Sequence, residues 1–262
     1  MKYLKDFRVV ENVYINSLYS LLKLTPDDGK PLADVKPGQF VQVLVPESSA
    51  TLLRRPISIN YVDKANNELW LLVRRAGNAT NILADKKANS LINLLYPLGN
   101  GFTCILNSNG KTLLTGGGVG IAPLLYLGKI LSDNNIAFEY LIGAKSKSDL
   151  LELDLLEKLA TVNISTDNGS AGEKGLITHN SCLDKNWARI YCCGPAPMMK
   201  AIAKIAHQRN IDCEVSLENM MACGLGACLC CVEKTVKGNV CVCTEGPIFN
   251  IKDLTWLTLA LK

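Results

Sequence analysis

Three cysteines near the carboxyl end of the chain have the spacing C-x4-C-x2-C, which is the strongest constraint that the sequence places on its fold. They are Cys223, Cys228 and Cys231, and glycines separate the first two. This is the spacing of plant-type ferredoxins, in which four thiolates hold a [2Fe–2S] cluster. Glycines let a backbone fold closely around an inorganic core and turn its N–H groups toward the sulfurs. Either Cys241 or Cys243 supplies the fourth thiolate, and the spacing alone does not choose between them.

Two other interpretations of these cysteines are a structural zinc site with four cysteine ligands and a set of inert thiols. Zinc ribbons typically carry two matched C-x2-C pairs, whereas this segment has one C-x2-C preceded by C-x4-C. The chain has 11 cysteines, an odd number, and its first residues are too charged for a secretory leader. We therefore expect a cytoplasmic, reducing setting in which dense thiols bind metal.

Charge and hydropathy exclude two classes of partner. The formal net charge is +4, and the basic residues are scattered along the chain rather than concentrated in one segment. The long uncharged run at residues 112–128 is short for a bilayer and rich in glycine. We expect neither nucleic acid nor a membrane as a partner.

The pattern of apolar residues divides the chain into three regions. In residues 1–101, short alternating or β-branched runs are broken by Pro, Gly and Asn, which predicts a small antiparallel β-barrel. In residues 102–217, strand-like and helix-like runs alternate, which predicts an α/β domain with a mostly parallel sheet. Residues 218–262 form a cysteine-rich segment with too little apolar pattern for a core of its own.

Two glycine-containing turns in the predicted α/β domain are candidates for binding a dinucleotide. The first, GGGVGIAP at residues 116–123, follows a predicted strand and opens a predicted helix, so its amides and the helix dipole can receive a pyrophosphate. It departs from G-x-G-x-x-G because Ile121 stands at the third glycine. The second, CCGPAPMM at residues 192–199, has the same strand-to-helix position. Two such turns in one sheet would line one crevice, and tight turns without a ligand are the alternative.

The predicted barrel contains two candidate phosphate contacts. Arg54 and Arg55 come just before a strand that contains Ser58. An arginine at this place can pair with a phosphate, and the hydroxyl can bond to an isoalloxazine edge, although a surface arginine pair is the alternative. The later segment at residues 74–83 ends in a predicted helix start at Ala79 and Thr80, a second possible seat for a phosphate.

Taken together, these parts resemble the ferredoxin reductase family, in which R-x-x-S binds flavin, and GGxGxAP and CGP bind the nicotinamide nucleotide. The matching segments are residues 55–58, 117–123 and 193–195. The segment from ENMMACGLGACLCC to CTEGPIF, residues 218–249, more closely resembles the electron-transfer subunits of NAD-dependent dihydroorotate dehydrogenases. This second resemblance covers essentially the whole chain.

The resemblance implies three carriers and the residues that hold them. For FAD in the barrel, these are Arg55, Pro56, Ile57, Ser58, Leu72, Val73, Arg74, Ala79 and Thr80, with Ala79 standing where the family has glycine. For NAD, they are Gly117, Gly118, Val119, Gly120, Cys193, Gly194 and Pro195, with Cys193 and Gly194 near the nicotinamide. For the [2Fe–2S] cluster, they are Cys223, Cys228, Cys231 and Cys243, because the family's fourth ligand is the cysteine of a C-x-[DE]-G-P pattern. Cys241 is the alternative fourth ligand.

The implied function is that of an oxidoreductase subunit in pyrimidine biosynthesis. It would pass electrons from an FMN-containing catalytic subunit, which oxidises dihydroorotate, through its cluster and FAD to NAD+. The implied assembly is a heterotetramer with two copies of each subunit, and no side chain of this chain is expected to act as an acid–base catalyst. Lys145 and Lys147 follow a predicted strand and could accept a 2′-phosphate, so NADP is the alternative nucleotide.

Two rival functions remain open. One is the small flavin and [2Fe–2S] subunit of an NADH-dependent ferredoxin:NADP oxidoreductase or of a sulfide dehydrogenase, which shares these motifs. The other is a zinc-stabilised nucleotide-sensing module with no redox role. Metal content and the identity of the partner protein distinguish the three.

Overall fold

The computed structural model describes residues 1–48, 52–104 and 110–257. The strands are β1 (Tyr3–Asn16), β2 (Tyr19–Pro26), β3 (Phe40–Val43), β4 (Arg55–Asp63), β5 (Glu68–Arg74), β6 (Leu91–Leu98), β7 (Thr112–Gly117), β8 (Phe138–Ala144), β9 (Thr161–Thr166), β10 (Glu173–Lys174), β11 (Arg189–Cys193), β12 (Asp212–Ser216), β13 (Val232–Thr235), β14 (Gly238–Cys241) and β15 (Ile248–Asn250). The α-helices are α1 (Asn78–Ala84), α2 (Ala122–Asp133), α3 (Leu153–Glu157), α4 (Ala196–Gln208) and α5 (Val242–Glu245).

The first six strands form a closed antiparallel barrel in the order β1-β2-β5-β4-β3-β6. Leucines two positions apart point into it from neighbouring strands, Leu22 and Leu24 from β2 and Leu69 and Leu71 from β5, and all four are fully buried. This period of two is the one that a strand needs to fill the interior of a barrel. The barrel predicted for this part of the sequence is confirmed.

The second sheet has seven strands in the order β10-β9-β8-β7-β11-β12-β15. All neighbouring strands are parallel except β12 and β15. The central strand β7 is buried at each of its six residues, because a strand inside a parallel sheet is covered on both faces. The mostly parallel sheet is confirmed, and its crossovers bring the carboxyl ends of β7 and β11 side by side.

Proline marks the start of both long helices of this sheet. Pro123 and Pro197 lie in the first turns of α2 and α4. Proline lacks an N–H, and in the first turn an N–H would have no acceptor within the helix. The apolar run at residues 150–160, one of the helix-like runs of this region, yields only the five-residue α3. The reason is local: Glu152 has a φ of 56°, a left-handed conformation in which a helix cannot continue.

The chain forms two compact units. One comprises residues 1–101, 219–233 and 241–247, and the other comprises residues 102–218, 234–240 and 248–262. The sequence divides the chain differently, into three predicted cofactor-binding regions at residues 1–101, 102–217 and 218–262. That division stays a prediction. Within the described residues, the helices are all too short or too polar to cross a membrane.

Candidate functional site

The loop from Cys223 to Cys231, hereafter the cysteine loop, turns its backbone amides toward sulfur atoms. The N–H of Leu225 donates to Cys223 Sγ at 3.3 Å, and the N–H of Gly226 donates to Cys243 Sγ at 3.2 Å. The N–H of Cys243 in turn donates to Cys231 Sγ at 3.4 Å. Amides that point at sulfur stabilise negative charge there, so this cradle fits an anionic iron–sulfur cluster.

Glycine is required at two positions of the cysteine loop. Gly224 and Gly226 have φ of +70° and +83°, in the left-handed region that strains any side chain. A methyl group on Gly226 would also lie 3.0 Å from the Thr244 methyl. The alternation of glycine and cysteine in the sequence is thus the local cause of the tight turn.

Backbone hydrogen bonds connect the segments that carry the predicted ligands. The N–H of Cys243 donates to Cys231 Sγ, and the N–H of Gly226, which lies between Cys223 and Cys228, donates to Cys243 Sγ. A [2Fe–2S] cluster needs four thiolates, so the segments that would supply them must lie close together. In residues 1–48, 52–104 and 110–257, no three Cys, His, Asp or Glu side chains are grouped as ligands of a single metal ion. The ligand set stays a prediction.

Cys243 and Cys241 face the cysteine loop differently. Cys243 is buried and accepts the N–H of Gly226, whereas the half-buried Cys241 has its thiol 3.9 Å from the carbonyl oxygen of the same glycine. An N–H donor favours a thiolate, and a carbonyl oxygen disfavours one. The geometry therefore favours Cys243 as the fourth ligand.

The surroundings of Cys223 and Cys243 shift the pKa values of their thiols in opposite directions. The N–H of Leu225 lowers the pKa of Cys223 to about 6, so that this thiol is ionised at neutral pH. The thiolate is the form that binds metal. Burial raises the pKa of Cys243, and its proton would leave when a metal binds.

In the barrel, the two adjacent arginines have different surroundings. The Arg54 guanidinium donates to the carbonyl oxygens of Gln42 and Asn93, both at 3.2 Å, and to the Asn93 side chain at 2.6 Å. Among the residues that the structure describes, Arg55 makes one hydrogen bond, of 3.3 Å, to the Arg54 carbonyl oxygen. Arg54 therefore holds the barrel together, while Arg55 keeps most of its donors for an anion. The residues fit a flavin phosphate at Arg55.

The remaining predicted FAD contacts lie on neighbouring elements of the same barrel. Ser58 pairs with Phe40 across β4 and β3, and residues 72–74 form the end of β5. The Thr80 hydroxyl accepts the N–H groups of Ala76 and Gly77 at 2.9 and 3.0 Å. This hydroxyl closes the turn before α1. The buried Ala79 packs into the core, and contact of these residues with FAD stays a prediction.

The structure brings the two predicted nucleotide turns together at the carboxyl ends of β7 and β11. A methyl group on Gly120 would lie 2.4 Å from the carbonyl oxygen of Cys193, and one on Gly194 would lie 3.1 Å from the Gly117 nitrogen. The turns touch backbone to backbone, which only glycine permits. The Met198 thioether packs beside both Gly117 and Gly194. These contacts form one wall that fits a dinucleotide, as the sequence predicted for a shared crevice.

A small cleft beside the first turn adds residues that sequence reasoning missed. It is lined by Gly116, Gly118, Ile121, two residues of β8 and the segment 149–151. Leu150 and Leu151 belong to the helix-like run at residues 150–160, so the apolar pattern alone does not place them beside this turn. The sequence feature that could have indicated this segment is its position after the carboxyl end of β8, where ligands bind in sheets of this kind.

Similarity to known proteins supports the same picture. Residues 218–255 match the family model described as the iron-sulfur cluster binding domain of dihydroorotate dehydrogenase B. The chain is 38% identical over 228 residues to the "Dihydroorotate dehydrogenase B (NAD(+)), electron transfer subunit" of Desulforamulus reducens, covering 84% of this chain and 87% of that protein. The protein of the same name from Fusobacterium nucleatum is 34% identical over 263 residues, covering 96% of this chain and 98% of that one.

Two solved structures have the same fold. A structure of NADH-dependent reduced ferredoxin-NADP oxidoreductase superimposes with a TM-score of 0.84 at 27% identity, covering 97% of this chain and 91% of that chain. The flavohem-like FAD/NAD binding domain of nitric oxide dioxygenase from Vibrio cholerae gives a TM-score of 0.69 at 20% identity, covering 80% of this chain and 98% of that one. The second likeness concerns the fold alone.

Proposed function

Because the chain belongs to the family of electron transfer subunits of dihydroorotate dehydrogenase B (NAD(+)), we propose that it carries electrons from dihydroorotate oxidation to NAD+. The observation that carries this proposal is the match of residues 218–255 to the family's cluster-binding domain, in a segment whose backbone amides donate to cysteine sulfurs. The carriers are a [2Fe–2S] cluster, FAD and NAD+. When bound, the flavin exchanges a hydride with nicotinamide and single electrons with the cluster.

The residues of this chain bind, orient and tune these carriers. We assign the cluster to Cys223, Cys228, Cys231 and Cys243, with the amides of the cysteine loop as donors to their sulfurs. We assign the flavin to the start of β4 and the end of β5, with Arg55 on its phosphate. The nicotinamide nucleotide is assigned to the turns at residues 117–120 and 193–195. Oxidation of dihydroorotate then belongs to a partner subunit.

That partner is proposed to be an FMN-containing catalytic subunit, joined in a heterotetramer of two copies of each chain in the cytoplasm. Its docking surface is proposed to be the cysteine loop. Four apolar side chains in this part of the first unit are exposed, namely Met220, Leu225, Leu229 and Val232. They flank the exposed Cys228 in the sequence. Exposed apolar side chains concentrated in one segment are typical of a protein interface, and an electron relay needs its cluster near the partner.

The test is to purify the untagged protein from its native source and to identify the proteins that copurify with it. The expected result is copurification with an FMN protein, and reduction of the complex by dihydroorotate with transfer of electrons to NAD+. A large flavin and iron–sulfur partner without this activity would instead place the chain with the ferredoxin-NADP oxidoreductases, to which its structure is similar.

Metal and nucleotide content give two further tests. Anaerobically prepared protein should contain two irons and two acid-labile sulfides per chain. A colourless protein that holds zinc would contradict the redox function. Reduction of the flavin by NADH should exceed that by NADPH, and the opposite preference would assign a 2′-phosphate to Lys145 and Lys147, which lie after β8.

A further inference from the structure

Gln42, in β3 of the barrel, has a buried amide that lacks a hydrogen-bond partner. The side chain is 0% exposed, and neither its Nε2 nor its Oε1 bonds to any group in the described part of the chain. Buried amides are almost always paired, because leaving one unpaired costs the free energy of removing it from water. An orphaned buried amide in a cofactor-binding protein therefore points to a partner that the polypeptide does not supply.

The end of this side chain lies against the cysteine loop. The position that a methyl group on Gly224 would take is 2.8 Å from Gln42 Cγ and 3.2 Å from Nε2. Gly224 directly follows Cys223 and has a φ of +70°. The lack of a side chain at Gly224 thus lets the loop and the Gln42 amide approach each other, on the side of the loop that carries the first ligand.

Gln42 also lies beside the strand assigned to the flavin. Its Cα pairs with that of Pro56 across β3 and β4, and its carbonyl oxygen accepts the guanidinium of Arg54. The backbone of Gln42 is therefore fixed by the barrel. With the backbone fixed, only the side-chain amide is left to respond to what binds next to it.

Of the two nearby carriers, the cluster is the better partner for the amide. Backbone N–H groups of the same loop already point at sulfur atoms, those of Leu225 and Gly226 at 3.3 and 3.2 Å. Cluster sulfurs are anionic and accept hydrogen bonds, and each donor makes reduction easier by stabilising the added negative charge. The atoms of Gln42 nearest the loop include the donor nitrogen.

We propose that the Gln42 side chain donates a hydrogen bond to a sulfur of the bound [2Fe–2S] cluster and thereby raises the reduction potential of the cluster. This inference rests on the proposed function, since it needs the cluster. It assigns a tuning role to a barrel residue that lies far from the cysteines in sequence. The barrel would then set the potential of the cluster as well as holding the flavin.

The test is a redox titration of the complete protein carrying Gln42→Met, which keeps the Cγ packing against Gly224 but removes the amide. The potential of the cluster is followed by the EPR signal of its reduced form, and that of FAD by visible absorbance. The expected result is a more negative cluster potential with altered g-values and an unchanged FAD potential. An unchanged cluster potential, or a shift in the FAD potential alone, would overturn the proposal.

Two further variants keep the test decisive. Gln42→Leu removes the same donor with a different shape, so it should shift the cluster potential in the same direction even if the methionine variant fails to fold. Thr115→Val is the matched control, because the Thr115 hydroxyl is likewise buried and without a partner among the residues described, but lies in the second unit. It should leave the cluster potential unchanged, and an equal shift there would contradict a specific role for Gln42.

The same measurement separates this proposal from the proposed function. If the unsubstituted protein holds no iron and sulfide, both fail. If it holds the cluster and the Gln42 variants titrate like the unsubstituted protein, only the role of Gln42 fails, and the amide is then a tolerated buried group.

Discussion

The cysteines of the parallel sheet and those of the cysteine loop are the same residue in two opposite environments. Cys192, Cys193 and Cys213 lie in β11 and β12, fully buried, and burial raises the pKa of each thiol. In the loop, Cys228 is exposed, and the pKa of Cys223 is lowered to about 6 by the Leu225 amide and its neighbours. The sheet thus keeps its thiols neutral and inert, while the loop prepares thiolates for metal.

The difference follows from what organises each region. The strands of the sheet are held by ladder hydrogen bonds and apolar packing, and a cysteine there serves as a small apolar side chain. The loop has few apolar residues to bury, and its amides are directed at sulfur instead of at other carbonyls. The surroundings of a thiol therefore determine whether it packs as an apolar side chain or binds metal. Substitutions in the sheet should change stability, and substitutions in the cysteine loop should change metal content.

The largest effect is expected for Cys228→Ser in the cysteine loop. Loss of one thiolate should abolish the [2Fe–2S] cluster and with it electron delivery from the partner, whereas NADH should still reduce the FAD. Iron and sulfide analysis, together with stopped-flow reduction of the flavin by NADH, measures both effects.

Cys230→Ser is the matched control for that variant. Cys230 is equally exposed and lies two residues away, but it is outside the predicted ligand set. The control should retain iron and sulfide. A cluster that survives in Cys228→Ser and disappears in Cys230→Ser would show that the assigned ligands are wrong.

The second largest effect is expected in the nucleotide turns, with Gly120→Ala. The added methyl group would lie 2.4 Å from the Cys193 carbonyl oxygen, so the two turns must separate. Overpacking of this kind costs about 1–3 kcal/mol of folding stability, and a displaced turn no longer holds its amides where the pyrophosphate would bind. We expect NADH to bind about tenfold or more weakly, which is a loss of about 1.4 kcal/mol in binding free energy, with iron and sulfide content unchanged.

The comparison variant is Gly118→Ala in the same turn. A methyl group on Gly118 meets no atom within 4 Å, and only its φ of +55° opposes the change. Titration with NADH should therefore show a smaller loss than for Gly120→Ala. Equal losses would mean that backbone conformation, rather than the contact between the turns, determines binding.

Much of this organisation was readable from the sequence, because it depends on local patterns. The period of two in the barrel strands, the prolines after two strands and the cysteine spacing each specify a structure within a few residues. That the turns at residues 116–123 and 192–199 lie at one edge of the sheet also follows from the sequence, since carboxyl ends of parallel strands share one edge, but the contact of Gly120 with Cys193 does not.

The parts that the sequence did not reveal depend on contacts between distant residues. Composition and charge do not show that Arg54 is occupied by the barrel, whereas the structure shows its guanidinium bonded to Gln42 on β3 and to Asn93 on β6. Similarly, the approach of Gln42 to Gly224 joins residues that are far apart in the chain. No local pattern encodes such a pair, so the proposal for Gln42 depends on a contact that only the structure reveals.

The smallest effect is expected for Cys192→Ala in the sheet, and it tests whether burial alone governs these thiols. Burial raises the pKa of Cys192 well above its ordinary value of 9.0. Below pH 9 both the folded and the unfolded chain hold this proton, and above it the unfolded chain ionises first. Stability therefore falls with rising pH, by about 1.4 kcal/mol per pH unit for each such thiol.

Above pH 9 and below the folded pKa of Cys192, the free energy of unfolding of the alanine variant should fall less steeply with pH, because one buried thiol is missing. Its iron content should stay unchanged. At neutral pH, we expect a loss of about 1 kcal/mol in the free energy of unfolding from reduced packing. Denaturant titrations of both proteins under reducing conditions, at a series of alkaline pH values, give the two slopes. Equal slopes would mean that Cys192 ionises alike in the folded and unfolded chains, and the contrast between sheet and loop thiols would then not rest on burial.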